Sequence, residues 1–476
     1  MPHTFYIDST SGNDANAGTS ADAAFKSLAA LNRITLQPGD SVLLARGSSY
    51  SDQLTLKDSG TAGNPITIGA YGEGAAPVIK GAATGIYGDG THDVVVHDIA
   101  IADTSGYAVL GSSVSNWTLD GVTVLDTGSA SHSGAVSFES SSDITVKDTT
   151  ISGVTGDGML INGGHDITIA GNRVGTVQGI DGDNVQVNDA TDVTVTGNQL
   201  DMTGKTDSTK GNLVVNHSDN VDIEHNTMAG GKYGASVNSD HVTIASNDIH
   251  GQGGYDWSFG IGLGENWNVS DYDIRDNTIH DVAYGVALTG DTANVQRNAI
   301  DIQDNTFDQM GEAALKVDRA ASGEFTGNHI GSDSDASQIP SWITEQGKFL
   351  VSGNDTFPIA PAAVNDVGTV HSNGVAEGNI LANDQHDPAE TLFVRSVDGS
   401  KVGAAPVEVA GTFGTLSIAA DGTFHYAVDE SRVEGHTGTL HDSFMYKMSD
   451  GSAQDSANLD FAIDPHALQA TSDFHF

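Results

Sequence analysis

The chain has 476 residues, no cysteine and a formal net charge of -44, with 63 Asp and Glu residues against 19 Lys and Arg residues. This charge excludes nucleic acid as a partner, because proteins bind phosphates through Lys and Arg residues that displace counterions. The absence of cysteine excludes a disulfide framework. No apolar stretch is long enough to span a membrane. The first residues, MPHTFYIDST, lack the basic and apolar regions of a cleavable secretory signal.

The N-terminal region, residues 1–40, is predicted to cap a larger structure. It contains one strand followed by SADAAFKSLAALNRI, residues 20–34, whose apolar spacing and Ser/Asp start predict a short amphipathic helix. A stack of β coils needs such a cover, because its first coil would otherwise expose the apolar interior.

Repeats dominate residues 41–355. Segments such as HDITIAGNRV, TDVTVTGNQL and DYDIRDNTI combine alternating aliphatic residues with an asparagine that recurs every 21 to 30 residues. Alternation with period two predicts strands, and units this short bury their apolar side only by stacking on one another. The recurring asparagines are Asn172, Asn198, Asn226, Asn247, Asn277, Asn305 and Asn328. We therefore predict an all-β fold with a right-handed parallel β-helix of about ten coils, in which these asparagines stack inside a bend.

The repeat ends at a linker, residues 356–365, which contains Pro358 and Pro361. From 366 to 465, short alternating strands such as GTLSIAADGTFHYAVD predict a small antiparallel β-sandwich. In this domain Asp384, Asp387 and Asp450 are candidate calcium ligands, with solvated turn acids as the alternative. Residues 466–476 form a C-terminal tail.

Three stretches carry a resemblance to known families. TFYIDSTSGNDANAGTSADAAFKSL, together with TAGNPITIGAYGEGAAPVIKG, resembles the opening of β-helical polysaccharide lyases and their relatives. AVNDVGTVHSNGVAEGNILANDQHD resembles the cadherin-like, VCBS-type sandwich of secreted bacterial proteins, and the closing DFHF resembles an uncleaved type I secretion signal. The combination is similar to the rhizobial Ply exopolysaccharide depolymerases. It implies an extracellular enzyme, exported by the Gram-negative type I route, that acts on an acidic polysaccharide; we expect it to be a monomer.

A candidate site emerges when the middle strands of successive coils are aligned. The aligned segments are DGMLIN (157–162), DNVQVN (183–188), GNLVVN (211–216) and YGASVN (233–238). Neighbouring coils lie about 4.8 Å apart, so Asp157 and Asp183 should lie side by side, with Lys210, Lys232 and Tyr233 within two coils. Polar residues around these coils are candidate substrate-binding groups: Lys232, Gln186, Asn188, Tyr255, Trp257 and Glu265.

The acidic residues of this region predict a calcium site. Two like charges one coil apart repel each other unless a cation or a shared proton lies between them. Asp181, Asp183 and Asp207, with Asp157 nearby, supply the oxygen ligands that calcium prefers.

The chemistry implied by the resemblance to β-helical lyases is β-elimination at a uronic acid. Lys210 would abstract the C5 proton, Tyr233 would protonate the leaving oxygen, and aspartate-bound calcium would neutralise the carboxylate. Repulsion between Lys210 and Lys232 would lower the pKa of one lysine, as a general base at neutral pH requires. The pattern of the family carries over only onto Asp181, Asp183 and Lys210, and no arginine lies on the same coils, since Arg275 is several coils away.

Several alternatives remain open at this stage. A glycoside hydrolase could use Asp157 with Asp183, or Asp183 with Asp207, if the carboxyl groups lie about 5–5.5 Å (retaining) or about 6.5–9.5 Å (inverting) apart. A C5-epimerase shares the proton abstraction with the lyase. The chain could also be a non-catalytic glycan-binding matrix protein, in which the aspartates bind backbone groups of their turns. The histidines His217, His225, His250 and His280 have no metal-ligand spacing in the sequence and are predicted to be surface or turn residues.

Overall fold

The computed structural model describes the chain except for residues 129–133, 176, 179–181, 205–209, 254–257, 265–266, 289–294, 318–320, 332–336, 339–347, 358–360, 373, 385, 387–390, 404, 437, 452, 466–472 and 476, and it gives only the backbone of residues 338, 357 and 473–475. The chain divides into two compact units, Met1–Thr356 and Phe357–Phe476. Each unit has its own apolar core.

The N-terminal cap is less helical than its sequence predicts. Strand Thr4–Ile7 is followed by a 3-10 turn, Ala21–Ala23, and by one turn of α-helix, Leu28–Leu31. The predicted helix over 20–34 is interrupted because Phe25 pairs with the first strand: its N–H donates to the Tyr6 carbonyl (2.9 Å) and its carbonyl accepts from Asp8 N–H (2.8 Å). These tertiary hydrogen bonds override the local helical preference.

The first unit is a parallel β-helix with three faces. The first face contains Leu54–Leu56, Ile86–Asp89, Val109–Ser112, Phe259–Leu263 and Ser337–Gln338. The second face contains Thr4–Ile7, Ser41–Ala45, Ile66–Tyr71, His92–His97, Ser115–Asp120, Val269–Arg275, Arg297–Gln303, Ala321–Thr326 and Phe349–Ser352. The third face contains Ser49–Tyr50, Val78–Lys80, Ala100–Ala102, Thr123–Leu125, Thr150–Ser152, Arg173–Gly175, Gln199–Met202, Thr227–Gly230, Asp248–His250, His329–Gly331 and Asp355–Phe357.

Seven longer strands bend from one face to the next. Those that run from the first face to the second are Gly134–Lys147, Asp157–Ala170, Val185–Thr196, Leu213–Glu224 and Tyr233–Ala245. Those that run from the third face to the first are Thr278–Leu288 and Thr306–Val317. These pairings are parallel, with register shifts within two of them, after Asn216 and after Val282. Equivalent residues of successive coils therefore stack over most of their length, as Val185, Leu213 and Ala235 do inside the helix.

The bend between the second and third faces is held by a ladder of buried asparagines. The side-chain oxygen of Asn198 accepts hydrogen bonds from the backbone N–H and side-chain amide of Asn172, at 2.9 and 3.0 Å, and the pattern repeats on the following coils. It extends one coil beyond the predicted set, to Asn354. Each ladder asparagine follows a residue with positive φ, such as Gly197 (65°) or Asp276 (57°), which makes the bend sharp enough.

The second unit contains two sheets around a common core. One sheet has the order Ser400–Lys401, Phe393–Val397, Leu440–Ser449, Gln454–Asp464, Asp366–His371, Asp473–His475. The other has the order Val375–Asn379, Thr423–Val428, Gly414–Ile418, Val407–Ala410, and a short helix, Glu430–Val433, follows its second strand. Pairing is antiparallel except between Asp366–His371 and Gln454–Asp464. The prediction of an all-β chain, with a parallel β-helix followed by a small sandwich, is confirmed.

No helix in the described part of the chain has the length and apolar character needed to cross a membrane.

Candidate functional site

The candidate site lies where the chain enters the first face. Asp157 starts one strand, Asp183 precedes the strand of the next coil, Lys210 precedes the one after it, and Tyr233 starts the fourth. The register therefore brings together the four residues that the sequence alignment placed in one region. Backbone hydrogen bonds tie these coils: the N–H of Lys232 donates to the carbonyl of Lys210 at 2.9 Å.

Asp183 is the centre of this cluster and is fully buried. Its Oδ1 accepts hydrogen bonds from the backbone N–H of Gly211 (2.9 Å) and from the hydroxyl of Tyr233 (2.7 Å). Its own backbone N–H donates to Oδ1 of Asp157, also buried, at 2.9 Å. The two aspartates thus hold the turns of successive coils, as turn aspartates commonly do.

Lys210 is the exposed charged member of the cluster. Its Nζ lies 3.8 Å from Oδ2 of Asp183, and its side chain is 34% exposed, compared with 1% for that of Asp183. The sequence led us to expect repulsion between Lys210 and Lys232 as the dominant interaction, but the carboxylate of Asp183 faces Lys210 directly. One carboxylate therefore contacts both candidate proton-transfer groups, Tyr233 through Oδ1 and Lys210 through Oδ2.

Tyr233 is held in place from two sides. Its ring stacks on Phe259, on the next coil, with ring centroids 5.5 Å apart and planes 11° apart. Its hydroxyl is fixed by Asp183. Because both ends are constrained, the hydroxyl of this buried side chain has a defined position beside Asp183.

Gln186 and Asn188 lie on the outer side of the strand that follows Asp183, where both are half-buried. Their side chains are hydrogen-bonded to each other at 3.2 Å. Asn188 also belongs to an outer ladder of amides on the first face, which consists of Asn162, Asn188, Asn216 and Asn238. A ladder of this kind stabilises the stack and still presents amide groups along its edge.

Five of the predicted site residues lie outside the described part of the chain: Asp181, Asp207, Tyr255, Trp257 and Glu265. The last three belong to an aromatic-rich insertion, residues 253–267, that also contains Trp267. Trp267 is described: it is 51% exposed and packs edge-on against His217, with ring centroids 4.0 Å apart.

The carboxylate oxygens of Asp183 already have partners in the described part of the chain. Its Oδ1 accepts two hydrogen bonds, and its Oδ2 faces the Lys210 ammonium from a buried position. Calcium needs six to eight oxygens around it, and the other two predicted ligands, Asp181 and Asp207, lie outside the described residues. The role of Asp183 in a metal site therefore stays a prediction beside its hydrogen-bonding and ion-pairing role.

Arg275 lies on the second face and takes no part in the cluster. Its guanidinium pairs with Asp273 (2.9 Å) and Asp276 (3.2 Å), and it approaches Glu224 at 3.9 Å.

On the third face, a cavity of about 390 Å³ is lined by residues that include Arg173, Gln199 and Asp201. It contains none of the cluster residues, so its lining offers polar contacts but no acid–base pair comparable to Lys210 and Tyr233.

A second cluster, in the C-terminal unit, has the chemistry of a calcium site. Asp366 is fully buried, and among the residues that the structure describes neither of its carboxylate oxygens receives a hydrogen bond of good geometry. Asp384 is also buried and accepts from the hydroxyl of Tyr446 at 3.1 Å. Burial, with the charge of Asp384, raises the pKa of Asp366 to about 7. Two buried carboxylates with spare oxygens fit a hard cation.

Of these two buried carboxylates, only Asp384 was predicted from the sequence. Asp384 was a predicted calcium ligand, and Asp387 lies outside the described residues. Asp450 accepts from the backbone N–H of Ala453 at 2.8 Å, within its own turn. Asp366 was missed, because a single aspartate at a strand start gives no signal before its partner across the fold is known.

Two features near the first-face cluster were also missed. Asn184 and Asn212 are fully buried beside Asp183, and the side-chain amide of Asn184 donates to Oδ1 of Asn212 at 2.9 Å. Phe259 supports Tyr233. The aligned segments DNVQVN and GNLVVN carry the asparagine signal at the same position, so the sequence could have revealed the first of these.

Comparison with known proteins places both units. Residues 76–228 match the family model described as the right handed beta helix region, and residues 358–465 match the bacterial cadherin-like domain. The chain combines a right-handed β-helix with a bacterial cadherin-like domain.

Curated relatives of these domains match only parts of the chain. A lacto-N-biosidase from Bifidobacterium longum is 52% identical over 91 residues, 18% of this chain and 6% of that protein. A calcium-binding lectin, RapA2, from Rhizobium johnstonii is 32% identical over 104 residues, 20% of this chain and 44% of that protein. The chain thus spans less than half the length of each of these two curated relatives.

Among solved structures, a lacto-N-biosidase from Eubacterium ramulus is similar with a TM-score of 0.52 and 17% identity, over 74% of this chain and 68% of that chain. At this identity the similarity concerns the fold. A carbohydrate-active enzyme is compatible with that fold.

Proposed function

We propose that this protein is a polysaccharide-degrading enzyme that cleaves an acidic polysaccharide within the chain by β-elimination at a uronic acid. The observation that carries the proposal is the position of Asp183 between Lys210 and Tyr233, with one carboxylate oxygen facing each. A base and an acid linked by one buried carboxylate are suited to moving protons on and off a bound sugar.

Burial favours elimination over hydrolysis by the predicted aspartate pair. Asp157 and Asp183 are 2% and 0% exposed, and each accepts a backbone N–H of the next coil. A hydrolase needs a carboxyl group that reaches the glycosidic oxygen or the anomeric carbon. Lys210, by contrast, is one-third exposed and can contact a polymer that lies across the first face.

The proposed reaction uses four side chains. Lys210 first passes one ammonium proton to Asp183 and then, as the amine, takes the C5 proton of the uronate; the C4–oxygen bond breaks, a C4–C5 double bond forms, and the leaving oxygen takes a proton from Tyr233. Lys232 lies one coil from Lys210 and supplies positive charge for the uronate carboxylate. Asp183 then passes its proton to the oxygen of Tyr233, which restores all three groups.

Gln186 and Asn188 would contact sugar hydroxyl groups, because their amides face outward on the same strand. Tyr255, Trp257 and Glu265 remain proposed substrate contacts in the aromatic-rich insertion. Flat aromatic rings stack on the apolar faces of sugars as they do on other rings.

Calcium, in this proposal, binds in the cadherin-like unit at Asp366 and Asp384. The lectin relative is a calcium-binding protein by its printed name, and the unpaired oxygens of Asp366 supply a reason for a cation at this position. Bound calcium would neutralise the two carboxylates and hold strand Asp366–His371 against the loop that carries Asp384. Asp181 and Asp207 remain candidate ligands for a separate ion beside Lys210.

The proposal also covers the location, oligomeric state and partner of the enzyme. We propose an extracellular monomer, exported by the type I route, whose partner is an acidic bacterial polysaccharide. Asp473–His475, which belongs to the proposed export signal, pairs with Asp366–His371.

Hydrolysis is the second candidate, because the lacto-N-biosidase that is 52% identical over 91 residues is a hydrolase by its printed name. Epimerisation and glycan binding without catalysis share the same surface. These alternatives differ in their products, so one experiment separates them.

The test is to incubate the protein with polymers that contain glucuronic, galacturonic or mannuronic acid, and to measure the absorbance of unsaturated uronate together with new reducing ends. Elimination gives both signals, hydrolysis gives new ends alone, and epimerisation or binding gives neither. We expect both signals, and we expect Lys210→Ala to reduce kcat by about 10²–10⁴-fold, the usual contribution of a general base.

Lys147→Ala is the matched control. Lys147 is also a partly exposed lysine paired with an aspartate of the neighbouring coil, Asp120, at 2.9 Å, but it lies on the second face. Its replacement should leave kcat unchanged. Equal losses in both variants, or full activity of Lys210→Ala, would refute the proposed role of Lys210.

A further inference from the structure

The third face carries a cluster of two histidines and an aspartate that the polysaccharide chemistry does not use. His250 ends strand Asp248–His250, and His280 lies in register with it on the next coil. Their rings stack with centroids 4.8 Å apart and planes 8° apart. The sequence showed no metal-ligand spacing for these histidines, but in the structure the 30 residues from His250 to His280 make one complete coil and return to the same column.

Asp248 joins the two rings through one atom. Its Oδ1 lies 3.3 Å from Nδ1 of His250 and 3.4 Å from Nε2 of His280. Ligands bound tetrahedrally at about 2.0–2.1 Å from a zinc ion lie about 3.3 Å from one another. The spacing of the carboxylate oxygen from each ring nitrogen therefore already matches that of a shared metal ion.

The other nitrogen of His280 has its own carboxylate. Nδ1 of His280 lies 2.7 Å from Oδ2 of Asp281 and donates its proton there. The lone pair of Nε2 is then directed toward the Asp248 oxygen, and two lone pairs face each other unless a proton or a cation lies between them. Carboxylate–histidine–metal arrangements orient a ligand ring in this way.

A single metal ion can engage all three donors of this cluster, because the two stacked rings direct one nitrogen each toward the same carboxylate oxygen. One divalent cation can accept both ring nitrogens and the shared oxygen at the same time. The donor set is two nitrogens and one oxygen, all within 4.8 Å of one another.

We propose that Asp248, His250 and His280 bind a divalent transition-metal ion of the zinc type. Imidazole nitrogen selects such ions, whereas calcium requires oxygen ligands. The side chains are 50%, 31% and 32% exposed, so the ion enters from solvent and keeps an open coordination position. Bound there, it cross-links two consecutive coils of the third face. This site is distinct from the Asp183 cluster and does not depend on the proposed elimination reaction.

The test is calorimetric titration of the untagged, chelator-treated full chain with Zn²⁺ in a large excess of calcium. Visible absorption of the Co²⁺-substituted protein reports the nitrogen ligands. We expect one site in the wild-type chain, lost in His250→Gln and His280→Gln, and a Tm that Zn²⁺ raises only where the site is intact. Asp281→Asn, which keeps all three ligands, should weaken Zn²⁺ binding by about 10–100-fold.

His165→Gln is the matched control. His165 is exposed and pairs with the following aspartate, Asp166, at 2.7 Å, as His280 does with Asp281, but Ser142 and Thr191 flank it in its column instead of a second histidine. Wild-type binding by this variant supports the site. Unchanged Zn²⁺ binding in both His280→Gln and Asp248→Asn, or an equal loss in His165→Gln, would overturn it. Circular dichroism of the metal-free variants identifies any loss that comes from misfolding.

Discussion

At the scale of single residues, the aspartates and asparagines of the β-helix have related roles. Oδ1 of Asp157 accepts the N–H of Asp183, and Oδ1 of Asp183 accepts the N–H of Gly211. The buried amides of the inner ladder also bind backbone N–H groups, but those of the preceding coil: Oδ1 of Asn198 accepts from Asn172, and Oδ1 of Asn226 accepts from Asn198. Asp183 differs because it also contacts Tyr233 and Lys210, and the proposed function rests on this added pairing.

The inner ladder should contribute strongly to stability. Asn226→Ala removes the acceptor for the Asn198 backbone N–H, and it also removes the amide that donates to the carbonyl of Val195. We expect a loss of about 1–3 kcal/mol in the free energy of unfolding, because buried backbone groups lose their partners. Urea denaturation measures this change.

Asn188→Ala is the comparison for that experiment. Asn188 belongs to the outer ladder, whose side chains are partly in contact with water, so its bonds are replaced on substitution. Its cost should be clearly smaller than that of Asn226→Ala. A cost as large as or larger than that of Asn226→Ala would show that the inner ladder is not the dominant one.

At the scale of the elements, the register of neighbouring coils creates the candidate site. Gly211 lies between Asp183 and Tyr233, and a Cβ on Gly211 would lie 2.2 Å from both the ring and the carbonyl oxygen of Tyr233. We predict that Gly211→Ala displaces Tyr233, lowers the Tm and reduces kcat. Steady-state kinetics and thermal unfolding of the purified variant check this.

Gly253→Ala, on a neighbouring coil, is the control, because no atom of the described residues lies within 4 Å of a Cβ built on Gly253. It should leave both Tm and kcat near the wild-type values. If Gly211→Ala behaved like Gly253→Ala, the close packing of Tyr233 on Gly211 would have no part in the site.

Period and spacing were sufficient to predict the stacked coils, the inner asparagines and the neighbourhood of Asp157, Asp183, Lys210 and Tyr233. They could not predict burial. Asp183 looked like an open ligand in the sequence, and only the packed turn reveals that Gly211 and Tyr233 occupy its Oδ1. Period and spacing also could not predict that Phe25 pairs with the first strand, which shortens the helix. They did not reveal that His250 and His280 share a column, because the asparagine alignment did not include the strands of the third face.

At the scale of the whole molecule, the chain has two compact units with different chemistry. The β-helix carries the candidate lysine and tyrosine, and the cadherin-like unit carries buried carboxylates. The chain has few basic residues to pair with its many acids. A buried carboxylate such as that of Asp366 therefore needs a bound cation to compensate its charge, because an uncompensated buried charge is strongly destabilising.

This requirement predicts how calcium and pH act on the cadherin-like unit. The pKa of Asp366 is raised from 3.8 to about 7 in the folded chain, so the folded state retains a proton that the unfolded state releases. Without calcium, the contribution of Asp366 to the stability of this unit is therefore highest below about pH 4. It falls as the pH rises through 7, by roughly 4 kcal/mol at most. Calorimetry with chelator at several pH values measures the decline, and calcium should reverse it at neutral pH.

Two variants test the assignment of this pH dependence. Asp366→Asn should abolish both the decline and the effect of calcium, whereas Glu408→Gln, at an exposed position of the same unit, should preserve both. Stability of the wild-type unit that rises between pH 4 and 7 in chelator would contradict the raised pKa.

The measurement that tests the central claim most directly is mass spectrometry of the oligosaccharides released from a uronic-acid polymer in oxygen-18-labelled water. Elimination breaks the C4–oxygen bond without adding water, so we predict unlabelled products with one end lighter by one water molecule. Hydrolysis would place one labelled oxygen at each new reducing end. Labelled products would contradict the account of Lys210 as the base of an eliminating enzyme and would assign the cleavage to carboxylates.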